Sequence, residues 1–145
     1  MKWRAYLLAG LLACLPLTFM HPVRVSGSSM EPALMDGQAA LALWAWCSGE
    51  PELGETWIVE SPEGIVIKRI LAAPGQTLEQ RNGYLFRDGN LVEEPYLAHR
   101  SISSGGPWQA GDGYLALGDS RPASRDSRLW GSLQRDALRG RVIWP

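Results

Sequence analysis

Turn signals interrupt this chain at short intervals, which limits it to short strands rather than long helices. Ser61-Pro-Glu-Gly64, Ala73-Pro-Gly75, Asn82-Gly83 and Asp88-Gly89 each combine residues that pre-set a turn or tolerate positive φ. Sixteen glycines and ten prolines in 145 residues belong to the same pattern. Between the turns, apolar and β-branched runs predict strands over Glu55 to Glu60, Gly64 to Leu71, Thr77 to Gln80, Tyr84 to Arg87, Leu91 to Val92 and Tyr114 to Leu117. Gln38 to Trp46 alternates as a strand would, with Leu41 and Leu43 on one face and Trp44 and Trp46 on the other. Those tryptophans suit a lipid–water interface or ordinary core packing equally well. Ser101 to Pro107 is polar and glycine-rich and reads as a loop.

One stretch breaks the pattern. Lys2 and Arg4 precede an apolar run from about Ala5 to Met20, closed by His21 and Pro22. A helix of that length covers about 24 Å, against roughly 30 Å of bilayer hydrocarbon. With Trp3 and Pro22-Val23 reaching the two interfaces, it reads as a single membrane anchor. Positive charge before the run and little after it puts the N-terminus in the cytoplasm and the rest outside. Two other readings stay open. A cleaved secretory signal lacks a small-residue site at Leu17-Thr-Phe-Met20, and Leu11-Leu-Ala-Cys14 resembles a lipoprotein processing site. The expected organisation is therefore an anchor over residues 1–22 and one compact, mainly β, antiparallel domain over residues 23–145.

An apolar share of 46% with 20% charged residues is enough for that domain to bury a core. A formal net charge of -1 gives no reason to expect nucleic acid as a partner. No Cys/His cluster has metal-ligand spacing, and no glycine pattern resembles a phosphate cradle, so no metal or cofactor is expected. Cys14 lies in the apolar run and Cys47 well beyond it, which makes a pairing between them unexpected.

Three stretches carry chemistry. In Ser26-Gly-Ser-Ser-Met-Glu-Pro-Ala-Leu34, Gly27 permits unusual backbone angles and Pro32 restrains the chain beyond Met30. Restraints on both sides can hold the Ser29 hydroxyl in one place, although a hinge after the anchor would have similar composition. In Gly64-Ile-Val-Ile-Lys-Arg-Ile70 both strand faces are apolar, with Val66, Lys68 and Ile70 on one of them. A lysine there is either functional or snorkels its amine out to water. Finally, Gly118 to Arg128 carries two Asp, three Arg and three Ser between apolar segments. A solvated loop and a fully satisfied buried network both fit that composition.

Taken in order, SGSSMEPAL, IKRILAAPG and LGDSRPASRDSRLWG closely resemble the bacterial type I signal peptidase (leader peptidase) family, membrane-anchored proteases with a Ser/Lys dyad. The resemblance extends over nearly the whole chain, including NGYLFRDGNLVEEPYL between the motifs. It implies Ser29 as nucleophile and Lys68 as general base. It also implies Ser124 as the hydroxyl that orients the lysine, and Asp126 with Arg128 as a supporting ion pair. Asp119 and Arg121 match the other charged positions, and Met30, Leu34 and Ile67 fall where the family lines its substrate pockets. Partners implied are signal peptides of exported preproteins and the lipid bilayer. The only histidines, His21 and His99, adjoin no motif, which argues against histidine-based catalysis.

The sequence also departs from the family. Gly27 stands where some members carry a hydroxyl that completes the oxyanion hole, with Ser26 and Ser28 as possible substitutes. Leu53-Gly-Glu-Thr-Trp-Ile-Val59 is a loose version of the family's second strand motif, and Ser120 replaces the usual Asn. The short interval from Lys68 to Gly118 implies a form without the extra β-domain of larger members.

Residue chemistry agrees with these roles. Lys68 can take a proton from Ser29 only when neutral, and at an unperturbed pKa near 10.4 roughly one lysine in 2,500 is neutral at pH 7. Apolar neighbours disfavour the ammonium and so help to create the base. The function expected is removal of signal peptides on the outer membrane face. A peptidase dedicated to a few exported clients and a non-catalytic binder of exported segments remain as alternatives.

Overall fold

The computed structural model describes residues 18–144, which fold into two antiparallel sheets. The first has the order β1-β2-β10-β3-β4-β9, formed by β1 (Met20–Arg24), β2 (Ala39–Trp44), β10 (Leu138–Trp144), β3 (Thr56–Ser61), β4 (Gly64–Ala72) and β9 (Leu115–Leu117). The second has the order β7-β6-β5-β8, from β7 (Asn90–Leu91), β6 (Tyr84–Arg87), β5 (Thr77–Arg81) and β8 (Gly105–Gln109). Mainly β, antiparallel architecture is thus the observed class.

The turn chemistry sets the hairpins. In β3–β4 the register runs from Thr56↔Arg69 to Ser61↔Gly64, so Pro62 and Glu63 alone make the connection. Asn82-Gly83 and Asp88-Gly89 all have positive φ, as two-residue hairpin turns with the right twist require. Register then decides what is buried. Trp57 lies opposite Lys68 on one side of β3 and opposite Arg141 on the other, and it is wholly buried with Val59, Ile70, Ala116 and Leu138. Leu71, Leu78, Leu85, Leu115 and Leu117 form a second cluster at the junction of the sheets. Val25, Met30, Leu34 and Ala40 form a third, directly under the first motif.

Three strands lie where no strand signal is present in the sequence. Met20, His21 and Pro22, expected to close the apolar run, begin β1 and pair with Leu43, Ala42 and Leu41. Pro22 is tolerated because β1 is an edge strand, and the same holds for Pro107 in β8, within the stretch expected to be a loop. In β10 the register shifts between Leu138 and Gly140 and again between Val142 and Trp144, which hides its alternation. β2 is also shorter than expected. It ends at Trp44, and Trp46 sits in a 3₁₀ turn, Ala45–Cys47. Ala40 and Ala42 fill the inner face of β2, while Leu41 and Leu43 are half-buried on the other.

Most of the expected anchor, with Cys14, lies outside the described residues. Among the described residues, no helix is long and apolar enough to cross a membrane.

Trp57 joins three strands of the larger sheet, so Trp57→Ala is expected to cost about 3–5 kcal/mol. Thermal unfolding of the variant should show a melting temperature lower by roughly 10 °C.

Candidate active site

The loop between β1 and β2 is closed by Val25 N–H donating to Gln38 O at 2.8 Å and Gly37 N–H donating to Val25 O at 2.9 Å. Met30 and Leu34 drop from it into the third core cluster, and Leu34 N–H donates to Met30 O at 3.0 Å. Gly27 has φ +89° and donates its N–H to Asp36 Oδ1 at 2.8 Å. The Ser29 carbonyl accepts from Ser120 N–H at 3.0 Å. Ser29 is therefore held by core packing on one side and by the third motif on the other.

Lys68 stands in the middle of β4 and is only 2% exposed, so stem and amine are both inside. The snorkelling alternative does not hold. Its Nζ donates to Ser29 Oγ at 2.7 Å. Burial pulls the Lys68 pKa below the usual lysine range, while Asp126 and Asp119 pull it back up and Arg128 lowers it again.

The third motif is a buried network. Ser124 Oγ donates to Asp126 Oδ2 at 2.7 Å, and Arg128 grips both carboxylate oxygens at 2.8 Å. Asp126 also caps the short helix α1 (Ser127–Trp130) and accepts from Gly118 N–H at 3.0 Å. Burial pushes the Asp126 carboxyl up, but Arg128, Gly118 N–H and Ser124 together hold it below the usual carboxylate range. Gly118 lies at the point of closest approach. A Cβ there would be 2.2 Å from Ser124 Oγ and 2.6 Å from the Ser29 carbonyl oxygen, so only glycine lets the two loops meet. Ser124 and Lys68 share no hydrogen bond among the described residues; each has its own partner.

Asp119 and Arg121 do not pair with each other. Asp119 accepts two bonds from Arg69, at 2.9 and 2.5 Å, and the Arg69 guanidinium stacks 4.0 Å from the Tyr96 ring. Arg121 binds Glu94, and its Nε donates to Gly118 O at 3.0 Å. Glu94 is 2% exposed and also accepts from Tyr96 Oη at 3.0 Å. Arg69 and Glu94 were not singled out from sequence. Arg69 stands beside Lys68 in the second motif, and Glu94 follows β7 outside any strand.

A cleft of about 460 Å³ opens at Ser29. Val23 to Gly27 form one wall and Ile65 to Ile67 the other, with Met30 and Ile58 also lining it. Met30 and Ile67 thus sit where substrate-pocket residues were expected. Leu34 does not: it is 3% exposed in the core beneath the loop and borders a separate small recess with Thr56, Arg69 and Val142. Neither histidine is here; His21 stacks on Trp44 with ring centroids 3.8 Å apart, and His99 is exposed. Among the described residues, no group of three metal-binding side chains is assembled.

Residues 2–145 match the family described as signal peptidase, peptidase S26. The chain belongs to this family. It is 31% identical to signal peptidase I P of Bacillus subtilis subsp. natto over 157 residues, covering 97% of this chain and 84% of that protein. It is 28% identical to signal peptidase IB of Staphylococcus aureus (strain Mu50 / ATCC 700699), covering 86% of this chain and 78% of that protein. The crystal structure of a signal peptidase I from Enterococcus faecalis V583 superimposes with a TM-score of 0.57 at 26% identity, covering 65% of this chain and 97% of that one.

The buried amine has a consequence for stability in this family member. Because the folded-state pKa of Lys68 is lowered, its burial opposes folding fully below that pKa, and the opposition fades as pH rises towards the unfolded value. Lys68→Met keeps the volume and removes the charge, and Asp126 and Asp119 retain Arg128 and Arg69. The variant is expected to be about 1–4 kcal/mol more stable at pH 7. Melting curves should converge with the parent towards pH 10; a variant less stable at pH 7 contradicts the account.

Proposed function

We propose that this protein is a membrane-anchored serine endopeptidase that removes N-terminal signal peptides from exported preproteins, with Ser29 as nucleophile and Lys68 as general base. The observation that carries the reading is the 2.7 Å contact between Ser29 Oγ and a buried lysine amine.

The cleft suits an extended substrate. β1 is an edge strand, and β9 pairs with β4 only from Arg69 onward, leaving Gly64 to Lys68 unpaired on that side. A peptide between the two edges can satisfy its backbone bonds as an added strand. Its side chains would meet Val23, Val25, Met30, Ile65 and Ile67, an apolar lining suited to small residues before the cut. Apolar pockets discriminate modestly among small side chains, so presentation at a membrane adds selectivity.

The reaction follows from the charges. Neutral Lys68 takes the Ser29 proton as Oγ bonds to the scissile carbonyl carbon. The Ser29 N–H is the first donor to the resulting oxyanion. The new ammonium is stabilised by Asp126 and Asp119, then gives its proton to the departing amine. Water, deprotonated by the same amine, splits the acyl-enzyme and frees the signal peptide as a carboxylate. Ser124, anchored on Asp126, keeps its lone pairs available to aim the amine.

Two features support the membrane placement. The apolar run leads straight into β1, and the face of β1, β2 and β10 opposite Ala40 and Ala42 carries Met20, Pro22, Leu41, Leu43 and Trp144. Trp144 is 63% exposed there, as an interfacial ring would be. An anchor over residues 1–19 with the β domain on the outer face is the arrangement these features favour.

Detergent-solubilised protein and its Ser29→Ala variant should be compared on a preprotein with an Ala-x-Ala site. Cutting after the second Ala by the parent, with a loss of at least about 10³-fold in the variant, is expected. Equal cutting by both contradicts Ser29 as nucleophile, and no cutting by folded parent contradicts the peptidase reading.

A further inference from the structure

An endopeptidase must hold chain on both sides of the bond it cuts, and the cleft at Ser29 accounts for one side. A second pocket of about 290 Å³ opens on the far side of the third motif, with Ser124 and Arg128 in its wall. Gly118 brings Ser124 Oγ close to the Ser29 carbonyl, so one wall residue of this pocket is a neighbour of the nucleophile's loop. Its remaining lining comes from β5, from β8 and the segment leading into it, from the third motif and from α1, including Gln80, Ser103, Ser104, Trp108, Arg121 and Leu129.

The two pockets differ in chemistry. The cleft at Ser29 is lined mainly by Val, Ile and Met side chains, whereas the second is lined by an amide, hydroxyls and two guanidinium groups. Arg121 is 3% exposed, bound to Glu94 through Nη2 and to Gly118 O through Nε, and its buried Nη1 has no partner among the described residues. A buried guanidinium N–H without an acceptor is costly, and a ligand carbonyl or carboxylate oxygen would relieve it. Gln80 and Ser103, which share a 3.3 Å bond, add further groups on the same wall. Trp108 gives one flat apolar surface against which a backbone can lie.

The substrate of the proposed reaction has a matching asymmetry: apolar and small residues before the cut, ordinary polar sequence after it. Resting on that reading, we propose that the pocket bounded by Arg121, Gln80 and Trp108 binds the first residues of the exported protein, on the carboxyl side of the cut. Its donors take the carbonyl oxygens of that segment and favour acidic over basic side chains. Residues of the second sheet thereby set which mature N-termini are released efficiently.

The test uses full-length protein in detergent and preproteins identical up to the cut, with one or four residues after it, the longer ones carrying Glu or Lys. For the parent, extension with Glu should raise kcat/KM about tenfold, and extension with Lys less. Leu129→Glu places a carboxylate at the exposed rim, and it should abolish the Glu advantage while leaving the shortest substrate unaffected. Ile65→Glu, in the other cleft, should alter the response to residues before the cut only. Absence of an extension effect in the parent, or an unchanged Glu advantage in Leu129→Glu, overturns the proposal. Failure to cut any substrate counts against the peptidase reading instead, and a second measurement then decides the pocket. A peptide of the mature residues alone should shift the Trp108 indole resonance in Ser29→Ala protein. No shift at millimolar peptide overturns the pocket independently of catalysis.

Discussion

The burial of one lysine amine against one serine hydroxyl makes demands on the rest of the fold. An ammonium at Lys68 is disfavoured because β3 and β4 enclose it beside Trp57, Val59 and Ile70. The hydroxyl has to come to that amine, and the loop that brings it is pinned by Met30 and Leu34 beneath it. Both conditions are packing conditions. The proposed reactive pair thus depends on the large apolar residues packed beneath and beside it.

Burial acting alone would leave a weak base with nowhere to put its proton. Asp126 and Asp119 oppose it, favouring the ammonium that the proposed transfer of a proton from Ser29 would form. Each carboxylate is itself held by a guanidinium, Arg128 and Arg69 respectively, so neither collapses onto the lysine. Glu94 and Arg121 extend the arrangement to the segment that follows β7 and fix the Gly118 carbonyl. Arg87 of β6 donates to Leu71 O in β4 at 3.2 Å, which ties the smaller sheet to the strand that carries Lys68.

Much of this was legible in the sequence because it rests on local signals. Two-residue turns and alternation place β3, β4 and β6 nearly where the structure has them. The order of the three motifs brings Ser29, Lys68, Ser124 and Asp126 to notice before any contact is known. What stayed hidden depends on pairing. β1, β8 and β10 carry Pro22, Pro107 and Gly140, residues that argue against strands until edge positions and register shifts excuse them. The family resemblance implies a pocket position for Leu34, yet it points into the core, and only three-dimensional packing separates those fates. Arg69 and Glu94 form ion pairs with residues 50 and 27 positions away, beyond any periodic signal.

The role proposed for Lys68 turns on the state of its amine, and that can be observed directly. Lysine labelled with ¹³C at Cε in Lys68 would report its protonation by chemical shift across pH 6 to 12. A titration midpoint below the ordinary value near 10.4 is expected, and a lower one still in Asp126→Asn, which removes a charge favouring the ammonium. A midpoint at or above the ordinary value in the parent would contradict a base made by burial.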